Sequence, residues 1–262
     1  NVSRFIPSLP GYVYAVKDNQ VYVNLYLSNK AELIINKKKV VLEQETGYPW
    51  NGDIRVKVAQ GNQEFALKLR IPGWVRNEVL PSDLYSYADN QKPTYRIIVN
   101  GQETANTLNN GYLSIERKWK KGDVVKIHFD MLPRIVKANE KVVDDKGRVS
   151  VERGPIVYCA EWPDNKCNVH TVLLNQHPQF KVVEKPELLY GISQLKTDAQ
   201  ALSYDKNGKL ITKDTELTLI PYYAWAHRGE GDMEVWLPID VSAASALPQE
   251  VQKWEDNGFF KN

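Results

Sequence analysis

A chain that breaks covalent bonds needs a nucleophile or an activated water with a matched acid and base, so histidines, cysteines and clustered carboxylates come first. The four histidines, His128, His170, His177 and His227, are scattered along the chain. No pair has the short helical or Cys-plus-His spacing of metal sites, and surface or structural roles account for the first three. Cys159 ends the apolar run Ile156-Val157-Tyr158-Cys159, where a small thiol packs like Ala; a reactive thiolate needs an accessible, electropositive setting. Cys167 follows the turn-like Pro163-Asp164-Asn165-Lys166, a spacing compatible with one cross-strand disulfide to Cys159. Glu43, Glu45, Asp53 and Glu64 surround Thr46-Gly47-Tyr48-Pro49-Trp50-Asn51-Gly52. Paired carboxylates can cleave a glycosidic bond, but alternating strands more often point such residues at water. No catalytic, cofactor-binding or metal-ligating residue is assigned.

Seven Trp and 14 Tyr residues offer a second chemistry, because flat aromatic faces stack on sugar rings. Trp50, Trp74, Trp119, Trp162, Trp225 and Trp236 are the candidates, weighed against the ordinary use of large aromatics to fill sandwich cores. The residues singled out as carbohydrate contacts are Trp50, Trp225, His227 and Arg228. A self-sufficient enzyme would instead need His227, Arg228, Asp232 and Glu234 to converge near Trp225.

Strands must position these side chains. Five Asn-Gly pairs, starting at Asn51, Asn100, Asn110, Asn207 and Asn257, mark turns, because both residues tolerate positive φ. Period-two alternation over 20–27, 54–58 and 65–71 predicts half-buried strands with one wet face. The pattern continues through 96–99, 112–117 and 123–129, completing a first sandwich by about residue 133. Met131-Leu132-Pro133-Arg134 breaks the rhythm, and a second series opens with 148–152 and 155–161. Alternation weakens between 163 and 215, returns at 217–220 and 233–237, and gives way to an expected helix around Leu247 to Trp254. The fold class is all-β, with two β-sandwich, jelly-roll-like domains.

At 262 residues the chain suits two units of the usual size, about 100–150 residues each. Its 34 basic and 32 acidic residues are spread along the chain for a net charge of +2, which leaves no electrostatic footprint for nucleic acid. The compact run Lys37-Lys38-Lys39 reads as a solvated hairpin tip. No apolar run approaches the roughly 20 residues that span a bilayer, so no membrane partner is expected.

Several segments, read in order, resemble the C-terminal half of glycoside hydrolase family 127, the β-L-arabinofuranosidase-type family. They are Leu9-Pro10-Gly11-Tyr12-Val13-Tyr14-Ala15, Val21-Tyr22-Val23-Asn24-Leu25-Tyr26, Glu45-Thr46-Gly47-Tyr48-Pro49-Trp50-Asn51-Gly52 and Leu69-Arg70-Ile71-Pro72-Gly73-Trp74. Gly111-Tyr112-Leu113, Arg117-Lys118-Trp119-Lys120-Lys121-Gly122-Asp123, Glu152-Arg153-Gly154-Pro155-Ile156-Val157-Tyr158-Cys159 and Pro221-Tyr222-Tyr223-Ala224-Trp225-Ala226 follow. The resemblance covers residues 1 to 238. It departs at His227, where the family usually has Asn, and at the long connection Val79 to Pro93.

What the resemblance implies is a parent with an N-terminal helical barrel carrying a zinc ion, a Cys nucleophile and Glu residues, followed by two β-sandwiches. The family's Cys-Cys-Pro motif would fall just before Asn1, so no cofactor is expected in this chain and the missing barrel is its expected partner, with carbohydrate as a further one. The family places the last strand back in the first sandwich. The implied division is therefore 1–12 as a remnant of the barrel, 13–133 plus 225–240 as the first sandwich, 134–224 as the second, and 241–262 as a tail. An ancillary bracing module should show an apolar patch to which Phe5, Ile6 and Leu9 contribute; a stand-alone carbohydrate-binding module should show exposed Trp or Tyr faces.

Overall fold

The computed structural model describes residues 1–89, 91–104 and 107–244. They form two compact units, one from 1–78 with 91–104 and 107–132, the other from 79–89 with 133–244. The helix expected around Leu247 to Trp254 and the turn at Asn257 lie outside the described residues.

In the first unit the alternating segments are strands that bury every second side chain. Gln20–Val23 buries Val21 and Val23, Asp53–Gln60 buries Ile54, Val56 and Val58, and Val124–Phe129 buries Val125, Ile127 and Phe129. One sheet runs in the order Tyr14–Lys17, Gln20–Val23, Asn62–Arg70, Tyr112–Lys120, Leu108–Asn109. The other runs Asn29–Ile35, Lys38–Thr46, Asp53–Gln60, Val124–Phe129, Tyr95–Val99, Gln102–Glu103. Pairing is antiparallel except between Gln20–Val23 and Asn62–Arg70, which run parallel with Val21 opposite Leu67. Gln44 Nε2 donates to the Tyr14 hydroxyl at 2.8 Å, tying the two sheets together, and the fully buried Trp119 donates from Nε1 to the Phe65 carbonyl at 3.0 Å.

The turn residues behave as their chemistry demands. Asn100-Gly101 and Asn110-Gly111 both take positive φ at each residue, the geometry whose twist suits a two-residue hairpin. Asn36-Lys37 does the same and sets the lysine run at the tip between Asn29–Ile35 and Lys38–Thr46. Asn51-Gly52 departs from the pattern. Asn51 Oδ1 accepts from the Asp53 amide at 3.1 Å, and Gly52 is required for close approach, since a Cβ there would stand 1.9 Å from the Phe129 carbonyl oxygen.

The second unit is sandwich-like, but among the described residues its strands are hydrogen-bonded into one ten-stranded sheet. The main order is Val172–Leu174, Ile192–Tyr204, Leu210–Pro221, Ile156–Glu161, Arg148–Arg153, Pro133–Ala138, Tyr85–Tyr87. The long hairpin of Ile192–Tyr204 with Leu210–Pro221 lies where alternation is weak. Its first strand is buried on both faces over most of its length, which erases the period-two signal. The long connection after Val79 supplies the edge strand Tyr85–Tyr87.

One expectation is corrected, and one open question is decided. The last strands do not return to the first sandwich: Met233–Glu234 pairs with Ile156–Glu161, and Leu237–Pro238 pairs with Arg148–Arg153. Residues 225–240 and 79–89 therefore belong with the second unit. Cys159 and Cys167 are thiols, not a disulfide. They serve different cores: Cys159 packs with Ile192, Ile220 and Ala224, while Cys167 packs against the cluster of Val151, Tyr158, Leu195 and Leu217 on the other side of the sheet.

Candidate functional site

The strand Ile156–Glu161 decides what lies on each side of the second sheet. Ile156, Tyr158 and Ala160 enter the main core, and Cys159 enters the smaller one. Period two puts Glu161 on the Cys159 side, where it is only 1% exposed. A carboxylate there is tolerated only if paired and hydrogen-bonded. Arg228 Nη2 contacts both Glu161 Oε2 and Asp164 Oδ2, and Nη1 donates to Asp164 Oδ1 at 3.0 Å. Glu161 Oε1 accepts from the Ala226 amide at 3.0 Å, and Gln194 Nε2 donates to Asp164 Oδ1 at 3.1 Å. Hydrogen bonding to Asp164 holds the Arg228 guanidinium above its ordinary pKa against the opposing effect of burial, with Glu161 adding to the rise. Ala226 and Gly229 take φ of 67° and 102°, which bends the chain so that Arg228 points inward.

This cluster lies beneath a short surface loop. Tyr222–Ala224 is a 3-10 turn, the Trp225 amide donates to the Tyr222 carbonyl at 3.2 Å, and the Tyr222 and Trp225 rings stack with centroids 6.1 Å apart. His227 is exposed, its Nδ1 3.0 Å from the Ala224 carbonyl. A carbonyl only accepts, so Nδ1 carries the proton.

Of the four residues singled out from sequence, Trp225, His227 and Arg228 thus share this loop, with the guanidinium of Arg228 engaged by two carboxylates. Trp50 belongs to the other unit, in the turn after Lys38–Thr46, and is 51% exposed. Its neighbour Tyr48 packs against Tyr26 and Phe129 and accepts from Trp74 Nε1 at 3.2 Å. Trp74 and Trp119 are core residues, and Trp236 stacks on Tyr85 with centroids 5.5 Å apart. Asp232 and Glu234 do not converge on Arg228. Glu234 Oε2 meets His170 Nδ1 at 2.5 Å, Glu234 Oε1 accepts from Arg148 Nη1 at 2.8 Å, and Asp232 accepts from Asn168 at 3.0 Å.

Three of the four carboxylates singled out around Thr46 to Gly52 are engaged across strands. Glu43 lies near Lys30 and Lys57, with its pKa lowered first of all by the Lys30 hydrogen bond; Glu45 pairs with Arg55, and Asp53 with His128. Among the described residues no three His, Cys, Asp or Glu side chains are grouped so as to hold a metal ion. The Cys159 thiol is pushed up to about 12, first by burial and then by Glu161 and Asp164, the reverse of what a nucleophile or thiolate ligand needs. The described residues do not fit a zinc centre.

Residues 20–131 match the family model described as the beta-L-arabinofuranosidase GH127 middle domain, and residues 133–238 match that of the glycoside hydrolase family 127 C-terminal domain. The chain belongs to glycoside hydrolase family 127. The junction between its two family 127 matches coincides with the end of the first compact unit at residue 132. A solved GH127 beta-arabinofuranosidase is 80% identical, with a TM-score of 0.92 over 95% of this chain and 39% of that one. A GH127 beta-L-arabinofuranosidase from Geobacillus stearothermophilus is 32% identical, with a TM-score of 0.78 over 91% of this chain and 36% of that one. The non-reducing end beta-L-arabinofuranosidase of Bifidobacterium longum subsp. longum is 28% identical over 90% of this chain and 36% of its own length. The chain therefore spans 36% to 39% of the length of these family 127 relatives.

Proposed function

We propose that this chain is the non-catalytic β-sandwich portion of a longer family 127 glycosidase, bracing a catalytic helical domain N-terminal to it. The longer enzyme releases terminal β-L-arabinofuranosyl residues, as the names of its relatives indicate. The observation that carries this reading is the pair of consecutive matches, to a middle and a C-terminal domain, within a chain spanning less than two fifths of its relatives. The N-terminal segment supports it. The helix Val2–Ser8 buries none of its residues, Phe5 and Ile6 are exposed and Leu9 is half-buried, leaving the apolar patch that a docked domain would cover. In this reading the nucleophile and the zinc of the longer enzyme are held outside the residues described here.

The test is hydrolysis of an aryl β-L-arabinofuranoside by the 262-residue chain and by a version extended N-terminally through the helical domain, each with zinc and thiol present. Activity confined to the extended protein is the expected result. Turnover by the shorter chain would overturn the proposal.

A further inference from the structure

Tyr222 and Trp225 make one stepped aromatic surface in the C-terminal unit. Their ring planes lie within 19° of each other, and the residues are 44% and 38% exposed. Single exposed aromatics are ordinary, but here the backbone beneath the pair is anchored. The Trp225 amide is held by the Tyr222 carbonyl, the next amide by the buried Glu161 carboxylate, and Arg228, three residues beyond Trp225, is clamped by Glu161 and Asp164. Burying an ion cluster is unfavourable unless its charges are paired and hydrogen-bonded; here the two carboxylates engage both terminal nitrogens of Arg228, while its buried Nε has no partner among the described residues. What this cluster fixes in place is the loop that displays the two rings, the preorganisation that lowers the entropic cost of binding.

The charges beside the loop define the ligand. One guanidinium is matched by two carboxylates, so an anionic ligand would find no uncompensated cation at Arg228. A neutral ligand with a flat face of C–H groups and hydroxyls around its edge suits the arrangement. Exposed His227, its Nδ1 directed to the Ala224 carbonyl, has Nε2 as a second ring nitrogen to hydrogen-bond a hydroxyl.

We propose that Tyr222 and Trp225 form a stacking platform for a neutral saccharide chain, with Arg228, Glu161 and Asp164 as its positioning residues. The platform would hold polysaccharide by stacking alone, and it does not depend on the bracing role proposed above.

The test is affinity electrophoresis of the full 262-residue chain through gels containing neutral arabinan, galactan or xylan, with polygalacturonate as the anionic control. Retardation is expected on at least one neutral polymer and not on polygalacturonate. Trp225→Ala should weaken the interaction by roughly tenfold or more, and Trp225→Phe should restore most of it. Unchanged thermal melts would show that the variants remain folded. For the positioning cluster, Arg228→Lys should keep the fold but weaken retardation, since a point charge replaces the two-pronged clamp. Absence of retardation on all three neutral polymers would overturn the proposal, as would full retardation of Trp225→Ala. A Trp225→Ala protein that changes oligomeric state while binding saccharide normally would make the rings a protein contact, with the same consequence.

Discussion

The guanidinium of Arg228 meets the carboxylate of Glu161 across 67 residues of chain, and only 1% of the Glu161 side chain reaches solvent. The pair joins the end of the strand Ile156–Glu161 to the loop carrying Trp225 and His227, so one interaction serves both the smaller core and the surface above it.

Removing one partner should therefore be far worse than removing both charges. Arg228→Ala leaves Glu161 buried without its cation and is expected to lower stability by about 3 kcal/mol or more. Adding Glu161→Gln to that variant should recover part of the loss. Urea unfolding of both single variants and the double variant measures the coupling, and strictly additive effects would contradict the structure.

Two glycines in the first unit should fail for different reasons. Gly52→Ala drives a Cβ into the Phe129 carbonyl, so neighbouring strands must shift, at about 2 kcal/mol or more. At Gly101 nothing lies within 4 Å, yet φ is +86°, and Ala there should cost only about 1 kcal/mol of backbone strain. Thermal melts of the two variants should rank them in that order.

Asp123 ties the turn at Lys120 to the hairpin at Asn100. Its Oδ2 accepts from the Lys120 amide and its Oδ1 from Asn100 Nδ2, each at 2.9 Å. Burial on its own would raise the Asp123 pKa, but the Lys120 amide, Asn100 and the charge of Arg117 together hold it below 3.8. The folded carboxyl is thus the stronger acid, and the stability it contributes is present above 3.8 and lost as pH falls through the lower folded value. Asp123→Ala should cost about 1 kcal/mol near neutrality, with the gap to the parent protein closing in acid. A gap that widens on acidification would show the opposite sign.

The two cysteines should differ in reactivity. Burial pushes the Cys159 thiol up to about 12, and it is fully enclosed, whereas Cys167 is partly exposed. Iodoacetamide at mildly alkaline pH is expected to label Cys167 in the native protein and both residues in denaturant, as read by peptide mass spectrometry. Equal native labelling would contradict the burial of Cys159.

Much of the first unit could be read directly. Strands such as Asp53–Gln60 and Val124–Phe129 have one buried and one wet face, and period-two alternation reports that condition. The hairpin of Ile192–Tyr204 and Leu210–Pro221 was obscure because burial on both faces removes the alternation on which the reading depends. The partners of Arg228 were also missed, although a signal existed: Glu161 closes an apolar strand and falls, by period two, on the face of Cys159. A buried acid in that position requires a cation from elsewhere in the chain.

The sequence by itself determined the strand-rich architecture, the break near Met131, the turns at Asn100 and Asn110 and the likeness to family 127, because each is carried by residues adjacent in the chain. The tertiary structure alone decided where Met233–Glu234 pairs, that Cys159 and Cys167 face different cores, that Asp232 and Glu234 gather around His170 and its surroundings, and that Arg228 is clamped beneath Trp225. The physical reason is that alternation states which side of a strand is buried but not which strand or loop covers it. Pairing between elements 60 or more residues apart is selected by the packing and charge compensation of the whole unit.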